Sequence, residues 1–127
     1  MTLVVDASTV AETLLGTARG AAAAALLGDH ELLAPQHLTA EVASVIRGWS
    51  LGGHVTEPQA LRAFSEFEIL GIEQVAMMSL LPAVHALRHN LTAYDAMYVV
   101  LARAAGCQLL TLDARLAKAA KDCAVVP

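Results

Sequence analysis

The sequence predicts an α/β domain in which a central, mostly parallel sheet of four to five strands lies between two layers of helices. Short apolar or β-branched runs alternate along the chain with longer segments of helical period. Glycine or proline closes most of these runs, as at the ends of strands and helices. Strands that alternate with helices pair in parallel through right-handed crossovers, and the length of 127 residues suits one domain. We therefore expect a single three-layer domain over residues 1–127.

Two strands and four helices are predicted in the first half of the chain. The run TLVV is apolar and β-branched, which is typical of a buried strand, and the short run LLA ends at Pro35. Gly16, Gly28 and Gly52 each follow a segment of helical period. Pro58 suits the first turn of a further helix. The predicted elements are strand Thr2–Val5, helices Ala7–Leu15 and Thr17–Leu27, strand Leu32–Ala34, helix Leu38–Leu51 and a helix that begins at Glu57.

The second half continues the alternation and contains the helix with the clearest pattern. The segment TAYDAMYVVLARAA carries apolar residues at helical spacing, and Gly106 stops it. Pro82 lies near the start of an earlier helix, and the run QLLTL is typical of a strand. The predicted elements are strand Ile72–Val75, helices Leu80–His89 and Thr92–Ala105, strand Gln108–Leu112, helix Ala114–Ala120 and edge strand Ala124–Val126.

The composition excludes several classes of function. Apolar residues make up 57% of the chain, yet no run approaches the ~20 residues that a membrane span needs. The N-terminus has no basic region before an apolar one, so we expect a protein of the cytoplasm that does not enter membranes. A net charge of −4 argues against nucleic-acid binding by charge alone. It does not exclude an enzyme that holds phosphates through metal ions.

The cysteines and histidines are not arranged in a recognisable site. Cys107 and Cys123 lie beside apolar stretches, and with no signal peptide a reduced, buried pair is expected, with redox or metal use as the alternative. His85 and His89 are four residues apart on a predicted helix and could share a metal, but no third ligand lies nearby in the sequence. The zinc motif H-E-x-x-H is absent.

Four acids lie at the ends of the most apolar segments. Asp6 and Asp113 directly follow predicted strands, whereas Glu41 and Asp95 lie in the first turns of predicted helices. In open α/β sheets, ligands bind beyond the carboxyl ends of the strands, where the strand order reverses. The four carboxylates can therefore converge on one small volume. Each acid alone also has a structural explanation, since acids cap helix N-termini and favour the positive end of the helix dipole.

Convergence of these acids would call for a counter-ion. Two unit charges 4 Å apart cost roughly 4 kcal/mol at the effective dielectric near a protein surface. Clustered carboxylates would therefore take up protons or bind a cation. An all-oxygen cluster suits hard ions such as Mg²⁺ and Mn²⁺, and sites of this kind hydrolyse phosphodiesters. Either ion is then expected to raise the melting temperature by mass action.

The segments LVVDAS, LTAEV and LTAYDAMYVVLARAAGCQLLTLDARL resemble, in this order, the PIN-domain ribonucleases and specifically the VapC-type toxins of prokaryotic toxin–antitoxin modules. The resemblance covers essentially the whole chain. Its most specific part is the TAYDA helix followed by an apolar strand and the ending T-x-D-x-R-L. It implies that Asp6, Glu41, Asp95 and Asp113 form a catalytic, acidic metal site in which Asp6 and Asp95 bind Mg²⁺ directly. Thr111 matches a supporting hydroxyl position, and Ser8 is a further candidate.

The resemblance also implies a function and partners. The expected activity is Mg²⁺-dependent endonucleolytic cleavage of RNA by metal-activated water, with Mn²⁺ as a possible substitute, leaving 5′-phosphate and 3′-hydroxyl ends. The expected partners are a second copy of the chain and an antitoxin whose amphipathic segment fills an apolar groove. Candidates for the groove lining are Leu15, Trp49, Leu51 and Phe67. Candidates for local help along the RNA path are Arg47, Arg115, Lys118 and Lys121.

The alternative function is a PIN-fold interaction or regulatory module that has lost cleavage. The presence of all four acids argues against it. A receiver domain would need an adjacent acid pair after an early strand, and a haloacid-dehalogenase-type phosphatase would need D-x-D after the first strand. This chain has Asp6 followed by Ala7 and Ser8. No glycine-rich phosphate loop is present, so a nucleotide cofactor is not expected.

Overall fold

The computed structural model describes residues 1–127 and contains one sheet of five strands, all of them parallel. The strands are β1 (Thr2–Val5), β2 (Glu31–Pro35), β3 (Glu73–Val75), β4 (Gln108–Leu110) and β5 (Ala124–Val125). They lie side by side in the order β3-β2-β1-β4-β5, so β1 is the central strand. Each strand lies within two residues of its predicted bounds.

Seven α-helices flank the sheet, and the predicted α/β architecture is confirmed. Several helices begin at threonine caps: the Thr17, Thr56 and Thr92 hydroxyls each accept a backbone N–H of the first turn. The helices are α1 (Ala7–Leu15), α2 (Ala18–Leu27), α3 (Leu38–Leu51), α4 (Glu57–Ile69), α5 (Leu81–Ala86), α6 (Ala93–Ala105) and α7 (Ala114–Ala119).

The predicted helix Leu80–His89 is shorter in the structure. A 3₁₀ turn at Met78–Leu80 leads into α5, which ends at Ala86. The next residues form tight turns, in which the Arg88 N–H donates to the His85 carbonyl and the Asn90 N–H donates to the Leu87 carbonyl. The sequence after Ala86 is mostly polar and exposed, so little apolar surface would be buried by further helical turns.

The core lies on both faces of the sheet. Leu3, Val4 and Val5 are all buried, and because successive strand residues point to opposite faces, both faces of β1 are covered. Helix α6 packs against β1, β2 and β4, while α1 packs against α2, α3 and α4. As the composition predicts, most of the buried residues are leucine, valine and alanine.

Helices α1 and α2 cross at very close range. Gly16 ends α1 with a φ of 67°, a left-handed conformation that glycine adopts without strain. A Cβ added at Gly20 would lie 1.9 Å from the Glu12 carbonyl oxygen, so only glycine permits this approach. None of the helices alone has the length and apolar character needed to span a membrane; only the pair α1 and α2, bent by 108°, meets these two criteria jointly.

The strand order reverses between β1 and β4. The chain moves from β1 outward through β2 to β3, and β4 and β5 then add on the other side of β1. Val5 pairs with Leu110, so both strands end at the same level. The residues that follow them, Asp6 and Thr111, therefore meet at the edge where α/β folds form their binding sites.

Candidate active site

A pocket of about 240 Å³ opens at this edge of the sheet. The structure brings all four predicted acids to its wall: Asp6 from the end of β1, Glu41 from α3, Asp95 from α6 and Asp113 from the loop before α7. The other lining residues are Ala7, Ser8, Glu12, Val45, Trp49 and Tyr98. Acids up to 107 positions apart in the sequence thus share one pocket.

Asp6 is the innermost of the acids and is only 4% exposed. It is the N-cap of α1, where its Oδ1 accepts the Thr9 N–H at 3.0 Å and the Ser8 hydroxyl at 2.8 Å. Its Oδ2 accepts the Thr111 hydroxyl. The hydroxyls in turn accept backbone N–H groups, Ser8 from Leu112 and Thr111 from Asp113. Both predicted supporting residues therefore contact Asp6 and connect β1 to the segment after β4.

The donors around Asp6 are all electrically neutral. Burial raises the pKa of the Asp6 carboxyl above its ordinary value of 3.8, and hydrogen bonds from Thr111, Thr9 and Ser8 offset this only in part. The ionised form is thus held in place by hydrogen bonds while its charge is left without a cationic protein group. A bound cation would relieve this electrostatic cost.

Glu41 is held by two aromatic side chains. The Tyr98 hydroxyl donates to Glu41 Oε1 at 2.6 Å. The Nε2 of His37 lies 3.0 Å from the same oxygen, although the ring is not oriented for a well-directed hydrogen bond. Burial raises the pKa of Glu41, but the contacts with His37 and Tyr98 together outweigh it and leave the pKa below its ordinary value. These contacts therefore favour the ionised form of Glu41.

Asp95 and Asp113 share one cationic partner. Arg115 Nη2 lies 2.9 Å from Asp95 Oδ2 and 3.5 Å from Asp113 Oδ2. Asp113 also caps α7, because its Oδ1 accepts the N–H groups of Arg115 and Leu116. The Thr92 hydroxyl accepts the Asp95 N–H, but the Asp95 carboxylate bonds to Arg115 and does not complete a capping box with Thr92.

The pocket fits a hard divalent cation in the kind of donors it offers. Carboxylate and hydroxyl oxygens are the ligands that Mg²⁺ and Mn²⁺ prefer. In this side-chain arrangement, however, no three carboxylate or imidazole groups converge on one point as metal ligands would. Asp95 and Asp113 instead pair with Arg115. Glu41 instead contacts Tyr98 and His37. A metal would therefore bind in exchange for part of these contacts.

Sequence reasoning missed four residues at or beside the pocket. His37 and Glu41 are four apart on one helix face, and Tyr98 is three residues after Asp95; both spacings were visible in the sequence. Glu12 lines the pocket one turn after Ser8, and its carboxylate lies 3.6 Å from Arg19. Nothing in the sequence indicated that Arg19, on α2, would also donate to the Leu112 carbonyl.

The remaining candidate residues lie away from the pocket lining. Of the four basic candidates for the RNA path, Arg115 contacts Asp95 and Asp113. The other three, Arg47, Lys118 and Lys121, do not line the pocket. His85 lines a separate pocket beside α6. Cys107 and Cys123 are free thiols at intermediate exposure, and burial raises the pKa of both thiols.

A second, larger groove adjoins the acidic pocket. Its volume is about 390 Å³, and Trp49 lines both spaces. Of the four predicted groove residues, Leu15 and Trp49 line it, but Leu51 is 72% exposed and Phe67 packs against the core. The other lining residues are Leu14, Thr17, His54, Val55, Gln59 and Arg62.

Comparison with known proteins decides the family. The model of the PIN domain matches residues 3–122. The chain belongs to the PIN-domain family. Relatives of this PIN domain include Ribonuclease VapC1 of Mycobacterium tuberculosis, 39% identical over 120 residues that cover 91% of this chain and 89% of the relative. Ribonuclease VapC3 of the same organism is 36% identical over 118 residues, 92% of this chain and 86% of the relative. The predicted VapC-type membership is therefore confirmed.

A solved structure supports the fold of this PIN domain. The crystal structure of PAE2754 from Pyrobaculum aerophilum superposes with a TM-score of 0.73, covering 98% of this chain and 83% of the other. The sequence identity between them is 20%, so this likeness concerns the fold alone.

Proposed function

We propose that this PIN domain is a Mg²⁺-dependent endoribonuclease that acts as the toxin of a toxin–antitoxin module in the cytoplasm. The observation that carries the proposal is the meeting of Asp6, Glu41, Asp95 and Asp113 in one pocket at the strand switch point. The ribonuclease names of the relatives support it. Mn²⁺ has similar ligand preferences and is expected to substitute for Mg²⁺.

Each group of residues has a distinct part in the proposed reaction. Asp6 and Asp95 would hold the metal, with Glu41 and Asp113 bound directly or through water. A metal held there would supply a water of lowered pKa and would stabilise negative charge on the phosphate and the leaving oxygen. Ser8 and Thr111 fix both oxygens of Asp6, so that this carboxylate is oriented before metal or RNA arrives. Tyr98 and His37 fix Glu41, which lies on α3.

The apolar groove is the proposed site of the antitoxin. Its wall combines Leu14, Leu15 and Val55 with Trp49, and aromatic residues in such positions anchor amphipathic helices. Because Trp49 also lines the acidic pocket, a segment seated in the groove would lie directly beside the proposed catalytic acids. A homodimer is part of the same proposal. Exposed Leu61 and Ile69 on α4 provide apolar surface for such contacts.

Cleavage of a single-stranded RNA by the purified protein tests the proposal. Activity should require Mg²⁺ or Mn²⁺ and should be lost in Asp6→Asn and Asp95→Asn. Asp122→Asn is a matched control, because Asp122 is an acid paired with Arg103 outside the pocket. Its activity should stay near that of the wild type. A correctly folded wild-type protein that cleaves no RNA with either metal would instead support the interaction-module alternative.

The partner assignment needs a separate test. The gene neighbouring this one is expected to encode a small DNA-binding protein that binds the chain. Trp49→Ala should weaken this complex at least about tenfold if Trp49 is an anchor. Leu51→Ala is the control, since Leu51 is exposed outside the groove. Equal affinities for both variants would place the antitoxin on another surface.

A further inference from the structure

Arg115 binds two acids from different parts of the chain with one nitrogen. Its Nη2 lies 2.9 Å from Asp95 Oδ2, at the start of α6, and 3.5 Å from Asp113 Oδ2, before α7. Both acids line the pocket, while the Arg115 side chain is 68% exposed at its rim. The guanidinium is therefore the only Lys or Arg group in an ion pair with any of the four proposed site acids.

A divalent cation and Arg115 compete for the same atoms. Asp113 Oδ1 already accepts two backbone N–H groups of α7, so Oδ2 is the oxygen left for a cation. The Arg115 guanidinium lies against this oxygen. At Asp95, Arg115 likewise occupies one carboxylate oxygen, Oδ2. Metal binding to these carboxylates would release the guanidinium, because one carboxylate oxygen cannot keep both partners at full strength.

Released Arg115 would stay at the rim. The Arg115 N–H donates to Asp113 Oδ1 at 2.9 Å, and this backbone contact uses a different oxygen from the one that contacts the guanidinium. The exposed side chain can then turn outward with its donors free. A planar guanidinium with five N–H donors matches the oxygens of a phosphate and binds them bidentately. An RNA strand lying over the pocket would bring its phosphates within reach of this guanidinium.

We propose that Arg115 is an exchangeable counter-ion of the acidic site: it holds Asp95 and Asp113 before the divalent ion binds, and contacts a phosphate of the RNA afterwards. This inference rests on the proposed nuclease function and adds a substrate-binding residue to it. The same side chain thus lowers repulsion between the acids in the metal-free protein and adds a positive group to the RNA path of a chain with net charge −4.

Mn²⁺ binding without RNA tests whether Arg115 is an exchangeable counter-ion of Asp95 and Asp113. The loss of the free-ion electron paramagnetic resonance signal gives the Mn²⁺ affinity of the wild type and Arg115→Gln. Removing the competitor should tighten Mn²⁺ binding roughly two- to fivefold, the scale of one exposed ion pair. Lys118→Gln removes the same charge from the same helix without breaking an ion pair, and Arg103→Gln breaks the ion pair with Asp122 far from the pocket. Both controls should bind Mn²⁺ as the wild type does.

The salt dependence of RNA affinity tests whether Arg115 contacts a phosphate of the RNA. The probe is a single-stranded RNA oligonucleotide, with KM measured in saturating Mn²⁺ from low to moderate salt. Loss of one phosphate contact should lower the slope of log affinity against log salt by about 0.7 and raise KM at least about threefold. Arg115→Lys keeps the charge and should retain the wild-type slope, whereas Arg103→Gln, which removes a charge outside the pocket, should change neither quantity.

Each outcome decides the proposal. Tighter Mn²⁺ binding together with a reduced salt slope in Arg115→Gln supports it. Unchanged Mn²⁺ affinity, or an equal gain in Lys118→Gln, overturns the counter-ion role; an unchanged salt slope overturns the phosphate role. If the wild type cleaves RNA while Arg115→Gln shows neither effect, only this inference fails. If the wild type binds no Mn²⁺ and cleaves no RNA, the proposed function fails and the Arg115 proposal with it.

Discussion

The inner and outer halves of the acidic pocket stabilise the same kind of side chain in different ways. Asp6, at the inner end, is buried and receives hydrogen bonds only from neutral hydroxyl and backbone groups. Asp95 and Asp113, at the outer end, are partly exposed and share the guanidinium of Arg115. The inner carboxylate is thus fixed in position with its charge uncompensated, while the outer pair is compensated by a side chain that can move.

This difference indicates how the two halves would serve a metal. The inner end is preorganised, since both Asp6 oxygens are already oriented by residues of two neighbouring strand ends. The outer end must exchange a partner when a cation binds. With the rigid carboxylate deep and the exchangeable pair at the mouth, an ion and an RNA strand would share one entry from the solvent side.

Cleavage should respond most strongly to the inner acid. Asp6→Asn is expected to lower kcat at least about 100-fold, whereas Asp113→Asn should lower it about tenfold, as for groups that act through a neighbour or water. Asn is a good helix cap, so the Asp113 variant keeps the start of α7. Single-turnover cleavage rates in Mg²⁺ measure both. Equal losses in the two variants would remove the distinction between inner and outer acids.

The fold was predictable from the sequence because its signals are local. The apolar run before Asp6 and the glycine stop at Gly106 each lie within one element, and the observed bounds agree closely with the prediction. The position of β1 at the centre of the sheet was not predicted, because strand order depends on how distant segments pair. The shortened α5 was missed because Leu87 extends an apolar pattern that the fold does not continue as a helix.

The meeting of the four acids in one pocket was predictable, but their side-chain partners were not. The four acids were found because each directly follows a predicted strand or lies in the first turn of a predicted helix. The sequence does not specify that Tyr98 reaches across to Glu41, 57 positions away, or that Arg115 joins two acids. Such contacts depend on helix orientation across the pocket, for which a single sequence carries no local pattern.

Metal binding should produce the next largest effect, because the cation supplies the positive counter-charge that the protein does not place beside Asp6. Mg²⁺ or Mn²⁺ at 100 times its dissociation constant should stabilise the folded chain by about 2.7 kcal/mol. For a chain of this size this corresponds to a rise in melting temperature of about 10 °C. Scanning calorimetry with and without EDTA measures it. Asp6→Asn should lose most of the shift, and a wild type without any shift would contradict the metal site.

Hydroxyl groups of equal burial should differ in their contribution to stability. Thr9 and Thr111 are both fully buried, but Thr111 donates to the Asp6 carboxylate, whereas Thr9 donates to the Leu110 carbonyl at 3.0 Å. Hydrogen bonds to charged groups are stronger, so Thr111→Val should cost about 1–3 kcal/mol and Thr9→Val about 0.5–1.5 kcal/mol. Urea unfolding of the metal-free variants measures both. A larger loss in Thr9→Val would show that the charge of Asp6 does not decide the difference.

Finally, pH should separate the inner acid from Glu41 by the sign of its effect. The raised pKa of Asp6 means that the folded chain holds this proton more tightly than the unfolded chain. Its contribution to stability is therefore greatest below its ordinary pKa of 3.8 and is lost as pH rises through the folded pKa. The lowered pKa of Glu41 has the opposite effect, because its contribution is present above 4.5 and is lost as pH falls.

Melting temperatures in EDTA between pH 4 and 7 test this opposition. The stability of Asp6→Asn relative to the wild type should increase with pH, while that of Glu41→Gln should decrease over the lower part of the range. Contributions of other titrating groups cancel in these differences. A relative stability of Asp6→Asn that is constant or falls with pH would contradict the uncompensated charge of the inner acid. Added Mg²⁺ should reduce the Asp6 effect, since the cation stabilises the ionised carboxylate that burial disfavours.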